Sequence, residues 1–426
     1  MADALRVAVV GRSLYGLHGF GGLERHLYDL AKHHLADGWH VTLITRMPST
    51  PDGVDSPRWR ALADDPQCHV RLVPYRTFPF AGRKGTTILD RSTAYPLFGL
   101  RAGGLAAELA ASGTVDVVYG VGASVYGYAR AHRRPGGPVA PLVFNPQGLE
   151  EFGGFDGRYG GRPLKAVGYA PLRAVVRSTA AGADAVIATD ASIEPSVVQH
   201  LSVDRARVHL IPNGLDVVEG DRLVSPADGL AMRARHQIAE SDVVMLSVGR
   251  LEANKGFADL ASSLGELGTA PWRWVVVGDG PDRASLAWHV GAAGLGGRVT
   301  FVGRVDDRAL HAWYDAANLF VHPTRYEGSS LVTLEAMLHA KPVLATRAGG
   351  LPDKVIPGRT GWLVEPGNPR ALSAGLNEAL NAPSHWAAYG AAGRFLLEER
   401  FDWRVIQRRY ADLYAELRSR TARAAR

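Results

Sequence analysis

Short apolar runs alternate with longer amphipathic stretches along the chain. In the first half the runs are four to six residues long and rich in Val, Ile and Leu, and they lie at 5–10, 40–45, 69–73, 115–119, 141–144, 184–189 and 207–211. Between the first two runs, apolar side chains recur near helical spacing at Leu23, Leu27, Leu30, Ala31, His34 and Leu35. Apolar strands that are separated by helices predict a parallel sheet with both faces covered.

The second half of the chain restarts this pattern. Its apolar runs lie at 242–248, 274–278, 298–303, 318–322, 341–346 and 361–365. Residues 212–240, between the two halves, are rich in Pro, Gly and Asp, which predicts a linker or hinge. We therefore predict two doubly wound α/β domains, 1–215 and 216–402. Such sheets bind ligands outside the carboxyl ends of their strands, so we expect the site in the cleft between the domains.

The C-terminal segment carries many arginines and a regular apolar spacing. Residues 394–426 hold nine arginines and five acids. The apolar positions near helical spacing are Phe401, Trp403, Ile406, Tyr410, Leu413, Tyr414 and Leu417. This pattern predicts an amphipathic helix that packs on the body of the protein and ends in a basic tail. Association of this helix with a membrane is the alternative interpretation.

Composition excludes several classes of protein. The chain has 426 residues, of which 46% are hydrophobic and 21% charged, as in ordinary globular domains and unlike disordered or fibrous chains. The single cysteine, Cys68, excludes an internal disulfide framework and a cysteine-built zinc site. No apolar run reaches the roughly 18 residues of a membrane helix, and the first run is too short for a signal peptide. We expect a cytoplasmic protein.

The net charge of +6 comes almost entirely from arginine. Of the 48 basic residues only six are lysines. A surplus of this size permits anionic ligands or a membrane surface, but the basic residues are dispersed and no nucleic-acid-binding module is recognisable, so we expect no nucleic acid partner.

Two basic regions with interleaved aromatic residues interrupt the alternation in the first half, and both are interpreted as insertions. The first, 74–101, carries Tyr75, Arg76, Phe78, Phe80, Arg83, Lys84, Arg91, Tyr95, Phe98 and Arg101. The second, 148–177, carries Arg158, Tyr159, Arg162, Lys165, Tyr169, Arg173 and Arg177. They indicate either a surface that binds an acceptor or touches a membrane, or ordinary solvated loops.

Two cations follow an apolar strand in the second half. Arg250 and Lys255 stand within SVGRLEANKG, residues 247–256, at the carboxyl end of the predicted strand 242–248. Two cations at this edge of a parallel sheet suit the negative charges of a diphosphate. Two solvated surface cations are the alternative.

A second motif, PTRYEGSSLVTLEAM at 323–337, combines amides and carboxylates. Glu327 precedes Gly328, Ser329 and Ser330, and Glu335 lies on the helix that follows. Free amides at a helix start form an anion site. The carboxylates cannot bind a phosphate, but they accept hydrogen bonds from hydroxyl groups such as a sugar diol. Together these groups match the chemistry of a sugar nucleotide.

The glycine-rich loop before the first helix is a further candidate for contact with a ligand, because clustered glycines let the backbone approach it closely. Gly19, Gly21 and Gly22 precede Glu24 there, although the pattern is not GxGxxG. The second predicted strand ends in Thr45 and Arg46, where a dinucleotide-binding enzyme would hold the ribose with an acid. This argues against an NAD-dependent dehydrogenase.

The chain resembles the retaining glycosyltransferases of family 4. The resemblance covers almost the whole chain and is carried by GGLE (21–24), IPNGLD (211–216), VGRLEANKG (248–256), VVVGDGP (275–281), FVGRVDD (301–307), PTRYEGSSLVTLEAM (323–337), ATRAGGLPD (345–353) and GWLVEPGN (361–368). The pair Glu327 and Glu335 is similar to that family's E-x7-E signature. The resemblance implies the GT-B fold, in which the donor is held mainly by 216–402 and the last helix, 403–426, packs back on the acceptor-side domain.

The resemblance also implies roles for individual residues. Arg250 and Lys255 would neutralise the diphosphate and its leaving-group charge, Glu327 would contact the transferred sugar, and Glu335 would take the ribose hydroxyls. The remaining donor-binding positions would be Gly21, Gly22, Arg304, Val305, Gly328, Ser329, Ser330 and Leu331. No metal and no cofactor are expected, and Asp306–Asp307 is not the metal-binding DxD motif of the other glycosyltransferase fold. The implied mechanism is retention, with the donor phosphate taking the acceptor's proton.

Two positions depart from the family pattern. Gln147 stands where the family usually has a histidine close to the sugar, and Asp353 stands where a glutamate is usual. Glutamine can donate and accept hydrogen bonds but cannot relay a proton, so a role in positioning the sugar is the interpretation for Gln147. Glu24 and Asn213 are further candidates for sugar positioning.

These observations predict a hexosyltransferase that uses a nucleoside-diphosphate sugar. A UDP-sugar is the expected donor, with GDP- and ADP-sugars open, and the acceptor is a glycan, a lipid-linked sugar or a small molecule. The alternative is a catalytically silent protein that binds sugar nucleotides, since Gln147 replaces the usual histidine. A further hypothesis is that the two basic-aromatic insertions contact the inner membrane surface.

Overall fold

The computed structural model describes residues 4–19, 21–48, 55–76, 87–153, 163–267 and 271–424. The chain divides into two compact units. The first comprises Met1–Pro212 together with Ile406–Arg426, and the second comprises Asn213–Val405.

The first unit is built on a seven-stranded sheet in which every paired strand is parallel. The order across the sheet is β3-β2-β1-β4-β5-β6-β7. The strands are β1 Arg6–Val10, β2 His40–Arg46, β3 Cys68–Val73, β4 Val117–Val121, β5 Leu142–Asn145, β6 Ala185–Ala188 and β7 Val208–Leu210. Strands β1, β4, β5 and β6 are buried almost throughout because helices cover both faces of the sheet.

The helices between these strands supply the covering layers. They are α1 Gly22–Ala36, α2 Pro57–Ala63, α3 Thr87–Ala111, α4 Tyr126–His132, α5 Pro163–Gly168, α6 Ala170–Ala181 and α7 Glu194–Leu201. Short 3₁₀ helices lie at Gly122–Val125, Glu150–Phe152, Ala191–Ile193 and Arg205–Arg207.

The second unit contains a six-stranded parallel sheet of order β10-β9-β8-β11-β12-β13. Its strands are β8 Val243–Val248, β9 Trp272–Val277, β10 Val299–Gly303, β11 Leu319–His322, β12 Val343–Thr346 and β13 Gly361–Val364. Its helices are α8 Val217–Asp221, α9 Pro226–Arg235, α10 Phe257–Gly265, α11 Arg283–Ala292, α12 Asp307–Ala316, α13 Leu331–Leu338, α14 Pro369–Leu380 and α15 Trp386–Leu396. Short 3₁₀ helices lie at Ala253–Lys255, Leu351–Asp353 and Pro383–His385.

The fold class predicted from the apolar runs is confirmed. Each of the thirteen runs named above coincides with a strand of the described residues, within a few residues at the ends. Strands occur where the apolar residues are continuous, and helices occur where apolar residues repeat about every 3.6 positions.

The segment predicted as a linker or hinge, 212–240, includes the start of the second unit. This segment contains α8 and α9, and each helix begins with a capping side chain. Asp216 accepts a hydrogen bond from the Glu219 amide at 2.9 Å, and Ser225 accepts one from the Asp228 amide at 3.2 Å. Asp and Ser therefore act here as helix N-caps, a role that their frequency in loops concealed.

The C-terminal segment forms α16, Trp403–Ala424, after a π-helical turn at Leu397–Phe401. From Ile406 onward the helix belongs to the first unit. Its apolar face is buried, with Tyr410 and Tyr414 fully enclosed. The His34 ring on α1 is hydrogen-bonded to the Gln407 Oε1 at 2.8 Å and to the Tyr414 hydroxyl at 3.3 Å. The amphipathic helix predicted from the spacing is confirmed.

The two basic-aromatic regions are largely ordered core elements where the structure describes them. Tyr95 and Phe98 lie on α3, and Tyr169 lies at the start of α6; Phe98 and Tyr169 are buried, and the Tyr95 hydroxyl donates to Val121 O. The interpretation of these rings as part of an exposed loop surface is therefore wrong, because they fill the space between helices and sheet. Phe78, Phe80, Arg83, Lys84, Arg158, Tyr159 and Arg162 lie outside the described residues.

Within the described ranges, no helix has both the length and the apolar content needed to cross a membrane.

Candidate functional site

Two loops at the carboxyl edge of the second sheet are locked together. The loop after β8 contains Lys255, and the loop after β11 contains Glu327. The Arg325 amide donates to Asn254 O at 2.7 Å, and Thr324 Oγ1 donates to the same oxygen at 3.0 Å. Gly256 has φ +67°, and a Cβ there would lie 2.0 Å from Pro323 O, so only glycine lets the loops approach so closely.

This contact brings Lys255 and Glu327 together. Lys255 Nζ donates to Glu327 Oε2 at 2.8 Å, and the His322 ring, at the end of β11, is hydrogen-bonded through Nε2 to the same oxygen at 2.8 Å. His322 is fully buried, and both partners of the ion pair are mostly buried. The three side chains form a compact cluster, which we call the Lys255–Glu327–His322 cluster.

Electrostatics keep Glu327 ionised. Burial alone would raise the pKa of Glu327, but the Lys255 ammonium and the His322 N–H lower it well below its ordinary value. Burial lowers the pKa of His322, so its ring is neutral at pH 7. Glu327 is therefore a permanent hydrogen-bond acceptor that cannot serve as a general acid. An ammonium has three donors, so Lys255 retains capacity for further acceptors.

His322 was not identified from the sequence as a site residue. The available signal was its position as the last residue of an apolar strand, five residues before Glu327. A lone histidine at the end of a strand is usually a core residue, and only the fold shows that its Nε2 meets the carboxylate.

Arg250 stands apart from this cluster. It follows β8, its side chain is 65% exposed, and its Nε donates to Glu252 Oε1 at 3.0 Å. Of the two cations that the sequence assigned to a diphosphate, one is thus held in a buried pair and the other lies at the surface of the same loop.

The segment from Gly328 to Leu331 forms the turn into α13. Ser330 is the N-cap, its Oγ accepting from the Thr333 amide at 3.4 Å, and its side chain is buried. The Gly328 amide donates to Glu327 Oε1 at 3.2 Å. Among the hydrogen bonds of the described residues, the amides of Ser329, Ser330 and Leu331 have no acceptor. These donors, at the positive end of the helix, suit an anion.

Two neighbours support this turn from behind. Gly349 has φ +52°, and a Cβ there would lie 1.8 Å from Glu327 O. The next amide, of Gly350, donates to Gly328 O at 3.0 Å. The fully buried Lys354 donates from Nζ to Ser329 Oγ at 3.2 Å. The glycine pair in ATRAGGLPD therefore fixes the backbone that carries Glu327.

Glu335 lies on α13, where it accepts a hydrogen bond through Oε2 from the Tyr314 hydroxyl at 2.9 Å. Burial raises the pKa of Tyr314 well above its ordinary value, so the phenol remains a donor. Arg304 is exposed and Val305 half-buried in the turn between β10 and α12. Asp306 is the N-cap of α12, accepting from the Ala309 amide at 2.8 Å.

In the first unit the predicted glycine loop leads into α1. Gly21 is the N-cap and Gly22 the first helical residue. The Glu24 carboxylate bends back toward Gly21, where an added Cβ would lie 2.5 Å from Glu24 Oε2. A side chain at position 21 would therefore displace this carboxylate.

Gln147 lies just after β5 in a left-handed conformation, φ +61°. Its amide donates to Asn145 Oδ1 at 3.0 Å, and Asn145 Nδ2 donates to the Tyr119 hydroxyl at 2.8 Å. Gln147 Nε2 is buried and, among the described residues, meets no acceptor. Asn213, which belongs to the second unit, likewise buries its Oδ1 without a donor among the residues that the structure describes.

Comparison with known proteins gives a consistent result. The profile described as "Glycosyl transferases group 1" matches residues 230–394, and the profile described as "Glycosyltransferase Family 4" matches residues 20–219. The alpha-maltose-1-phosphate synthase of Mycolicibacterium smegmatis is 31% identical over 274 residues, which span 60% of this chain and 70% of that protein.

Solved structures show the same fold. Sucrose-phosphate synthase from Thermosynechococcus elongatus has a TM-score of 0.72 at 24% identity, with 97% of this chain and 99% of that chain covered. HepE from Anabaena, solved in complex with UDP, has a TM-score of 0.71 at 20% identity, with 97% and 100% covered.

Proposed function

The chain belongs to glycosyltransferase family 4, and from this premise we propose that it transfers a hexosyl group from a nucleoside-diphosphate sugar to an acceptor with retention of configuration and without a metal ion. The observation that carries this proposal is the Lys255–Glu327–His322 cluster, which lies directly before the N-terminus of α13. HepE has been solved in complex with the nucleoside diphosphate UDP. We propose a UDP-sugar as the donor of this protein.

The proposed roles follow from the chemistry of each group. The amides of Ser329, Ser330 and Leu331 and the remaining N–H donors of Lys255 suit phosphate oxygens, whose negative charge grows as the sugar leaves. Glu327, held ionised, suits the hydroxyl groups of the transferred sugar. Glu327 and Glu335 would act as the paired glutamates of the family, with Glu335 accepting from the ribose hydroxyls.

Arg250 is proposed to add a second cation to the diphosphate, and Arg304 and Val305 to lie beside the base. Gly21 and Gly22 are proposed to approach the phosphate with their backbone. Gln147, Glu24 and Asn213 are proposed to position the sugar. The side-chain amides of Gln147 and Asn213 can donate and accept hydrogen bonds but cannot relay a proton. The proton of the acceptor hydroxyl would pass to the departing phosphate oxygen, so that the new glycosidic bond forms on the face from which the nucleotide leaves.

The acceptor is proposed to bind the first unit. The relative from M. smegmatis is a synthase of a sugar phosphate, alpha-maltose-1-phosphate. This favours a phosphorylated sugar as acceptor or product over an uncharged one. Peripheral contact with the inner membrane surface stays a prediction, for which the exposed arginines of the first unit are the remaining candidates.

The test compares donor turnover in matched variants. UDP release from UDP-glucose and other UDP-hexoses is measured with and without EDTA for the wild type, for Glu327→Gln and, as a control, for Arg308→Gln, an exposed residue on α12. We expect turnover that EDTA does not change, a loss of about 100-fold or more in Glu327→Gln, and no change in Arg308→Gln. Equal rates in all three proteins would refute the site. Tight UDP binding without turnover against a panel of sugars and sugar phosphates would instead favour the silent binding protein.

A further inference from the structure

Two arginines lie side by side at the carboxyl edge of the first sheet. Strands β1 and β2 are paired neighbours, with Val10 opposite Ile44. Arg12 follows β1 by two residues and Arg46 is the last residue of β2, so both side chains arise at the same edge. The order of the sheet reverses between β1 and β4, and this reversal point is where doubly wound sheets bind ligands.

Both guanidinium groups contact the ring of Tyr75. Arg12 Cζ lies 5.9 Å and Arg46 Cζ 5.6 Å from the centre of this ring, and Arg12 Cζ also lies 4.7 Å from the ring centre of Tyr95. Tyr95 in turn donates from its hydroxyl to Val121 O, at the end of β4, at 3.0 Å. The aromatic rings therefore hold two planar cations at the reversal point of the sheet.

Neither guanidinium is neutralised by the residues that the structure describes. No carboxylate among them lies within ion-pair distance of Arg12 or Arg46, and the one hydrogen bond of the Arg12 side chain, to the Tyr75 hydroxyl, is long at 3.5 Å. Arg46 Nε is buried and has no acceptor. Arg25 on α1 differs in being paired, since its Nε donates to Asp29 Oδ2 at 3.1 Å.

The charged groups that face this pair do not cancel it. Asp90, which accepts a hydrogen bond from the Tyr75 hydroxyl at 2.9 Å, and Glu24 both act on Arg46 through space, and burial with the Arg12 charge outweighs them. Burial and the Arg12 charge lower the pKa of Arg46, although a guanidinium stays protonated at any working pH. Burial, with Arg46 next, lowers the pKa of His18 to about 4, so this ring is neutral.

His18 fixes the position of Arg46 rather than adding charge. The Leu14 amide donates to His18 Nδ1 at 3.0 Å, so the ring proton is on Nε2, which donates to Arg46 O at 2.9 Å. The loop after β1 is thereby tied to the end of β2, and both arginines are held in place before any ligand binds.

We infer that Arg12 and Arg46 form a binding site for a phosphate monoester, the phosphate group of the acceptor. Two half-buried like charges with no carboxylate in ion-pair range among the described residues suit an anion, and the planar donor forks of arginine match phosphate oxygens. A phosphate monoester carries close to two negative charges at pH 7 and so balances both cations. The site itself follows from the geometry, while its assignment to the acceptor rests on the proposed glycosyl transfer.

The test measures phosphate binding apart from donor binding. Inorganic phosphate, a hexose 6-phosphate and the free hexose are titrated calorimetrically into protein saturated with UDP, which fills the donor's own phosphate sites. The variants are Arg12→Gln, Arg46→Gln and, as matched control, Arg71→Gln, an exposed arginine on β3. We expect the hexose phosphate to bind more tightly than the hexose, and both phosphate probes to bind about tenfold or more weakly in the two site variants only.

Arg46→Lys is the second variant, since it keeps the charge and loses the fork. It should fold like the wild type by circular dichroism and recover part of the phosphate affinity. Co-sedimentation with vesicles that contain phosphatidic acid, whose headgroup is a phosphate monoester, against phosphatidylcholine vesicles, distinguishes a lipid phosphate from a soluble one. The inference would be overturned if the wild type did not bind phosphate. It would also be overturned if the wild type and both site variants bound phosphate with equal affinity. If UDP did not bind, the proposed function would be refuted. The phosphate affinities of the wild type and the variants would then be compared in the absence of UDP, and they would still test the site.

Discussion

Replacement of Lys255 by methionine should destabilise the second unit and stop turnover at the same time. The ammonium contacts Glu327 at 2.8 Å, and the two side chains are 19% and 14% exposed. Methionine fills much of the same volume but leaves a buried carboxylate with His322 as its remaining partner in the cluster. Removal of one member of a buried ion pair costs about 3–5 kcal/mol, because the other charge stays desolvated.

Arg250→Met provides the matched control within the same loop. Arg250 and its partner Glu252 are 65% and 35% exposed, so this pair contributes about 0–1 kcal/mol to stability. If Arg250 neutralises the donor diphosphate as proposed, its loss should reduce turnover and leave stability nearly unchanged. Comparison of the two variants, whose positions are five residues apart, therefore separates the loss of stability from the loss of activity.

The assays are thermal unfolding and UDP release from a UDP-sugar. For a unit of this size, 1 kcal/mol corresponds to roughly 2–4 °C, so Lys255→Met should unfold roughly 6–20 °C earlier and Arg250→Met within a few degrees of the wild type. Lys255→Met combined with Glu327→Gln removes the unpaired charge, so it should recover much of the stability and none of the activity. Similar stability losses in Lys255→Met and Arg250→Met would refute the reasoning, as would full activity of Lys255→Met.

Three further predictions concern neighbouring groups. Gly349→Ala should lower kcat by about 100-fold and also reduce Tm, because its Cβ would force the Glu327 backbone to move and position 349 has φ +52°. Tyr314→Phe should weaken UDP binding about tenfold, measured by calorimetry with kcat nearly unchanged, since Glu335 loses its hydroxyl donor. Burial raises the pKa of Glu151 from 4.5 to about 7, so the folded protein binds more protons than the unfolded chain between these values and stability falls as pH rises through them. Glu151→Gln should therefore be more stable than the wild type at pH 8, by up to about 3 kcal/mol, and equal to it at pH 4, as unfolding curves at the two pH values would show.

The fold could be predicted from the sequence because a parallel sheet leaves a strong signal. Its strands are buried on both faces and so appear as continuous apolar runs, such as 7–10 and 244–248, which glycine-rich turns separate from amphipathic helices. The two helices within 212–240 were not apparent from the sequence for the opposite reason. Helices α8 and α9 are short, and their Asp and Ser caps have the composition of a loop.

Within the candidate site, the sequence predicted only the residues that are close to one another along the chain. Glu327 through Leu331 and Glu335 stand within nine residues, and the expected turn into a helix lies there. The contacts of Glu327 with Lys255 and His322 depend on which strand ends are adjacent, and pairing between β8 and β11 spans more than 70 residues. Lys354, buried behind Ser329, was missed for the same reason.

Charges at the carboxyl edges of the two sheets differ in how far the protein compensates them. In the second unit, Lys255 meets Glu327, so the burial cost of each is offset before any ligand binds, and the cluster is formed in advance. In the first unit, Arg12 and Arg46 contact aromatic rings and repel each other through space, without a carboxylate in ion-pair range among the described residues. A site of the first kind is compensated within the protein before any anions are added. A site of the second kind should gain stability from them, so inorganic phosphate should raise the unfolding temperature of the wild type more than that of Arg46→Gln, even with UDP saturating the donor site.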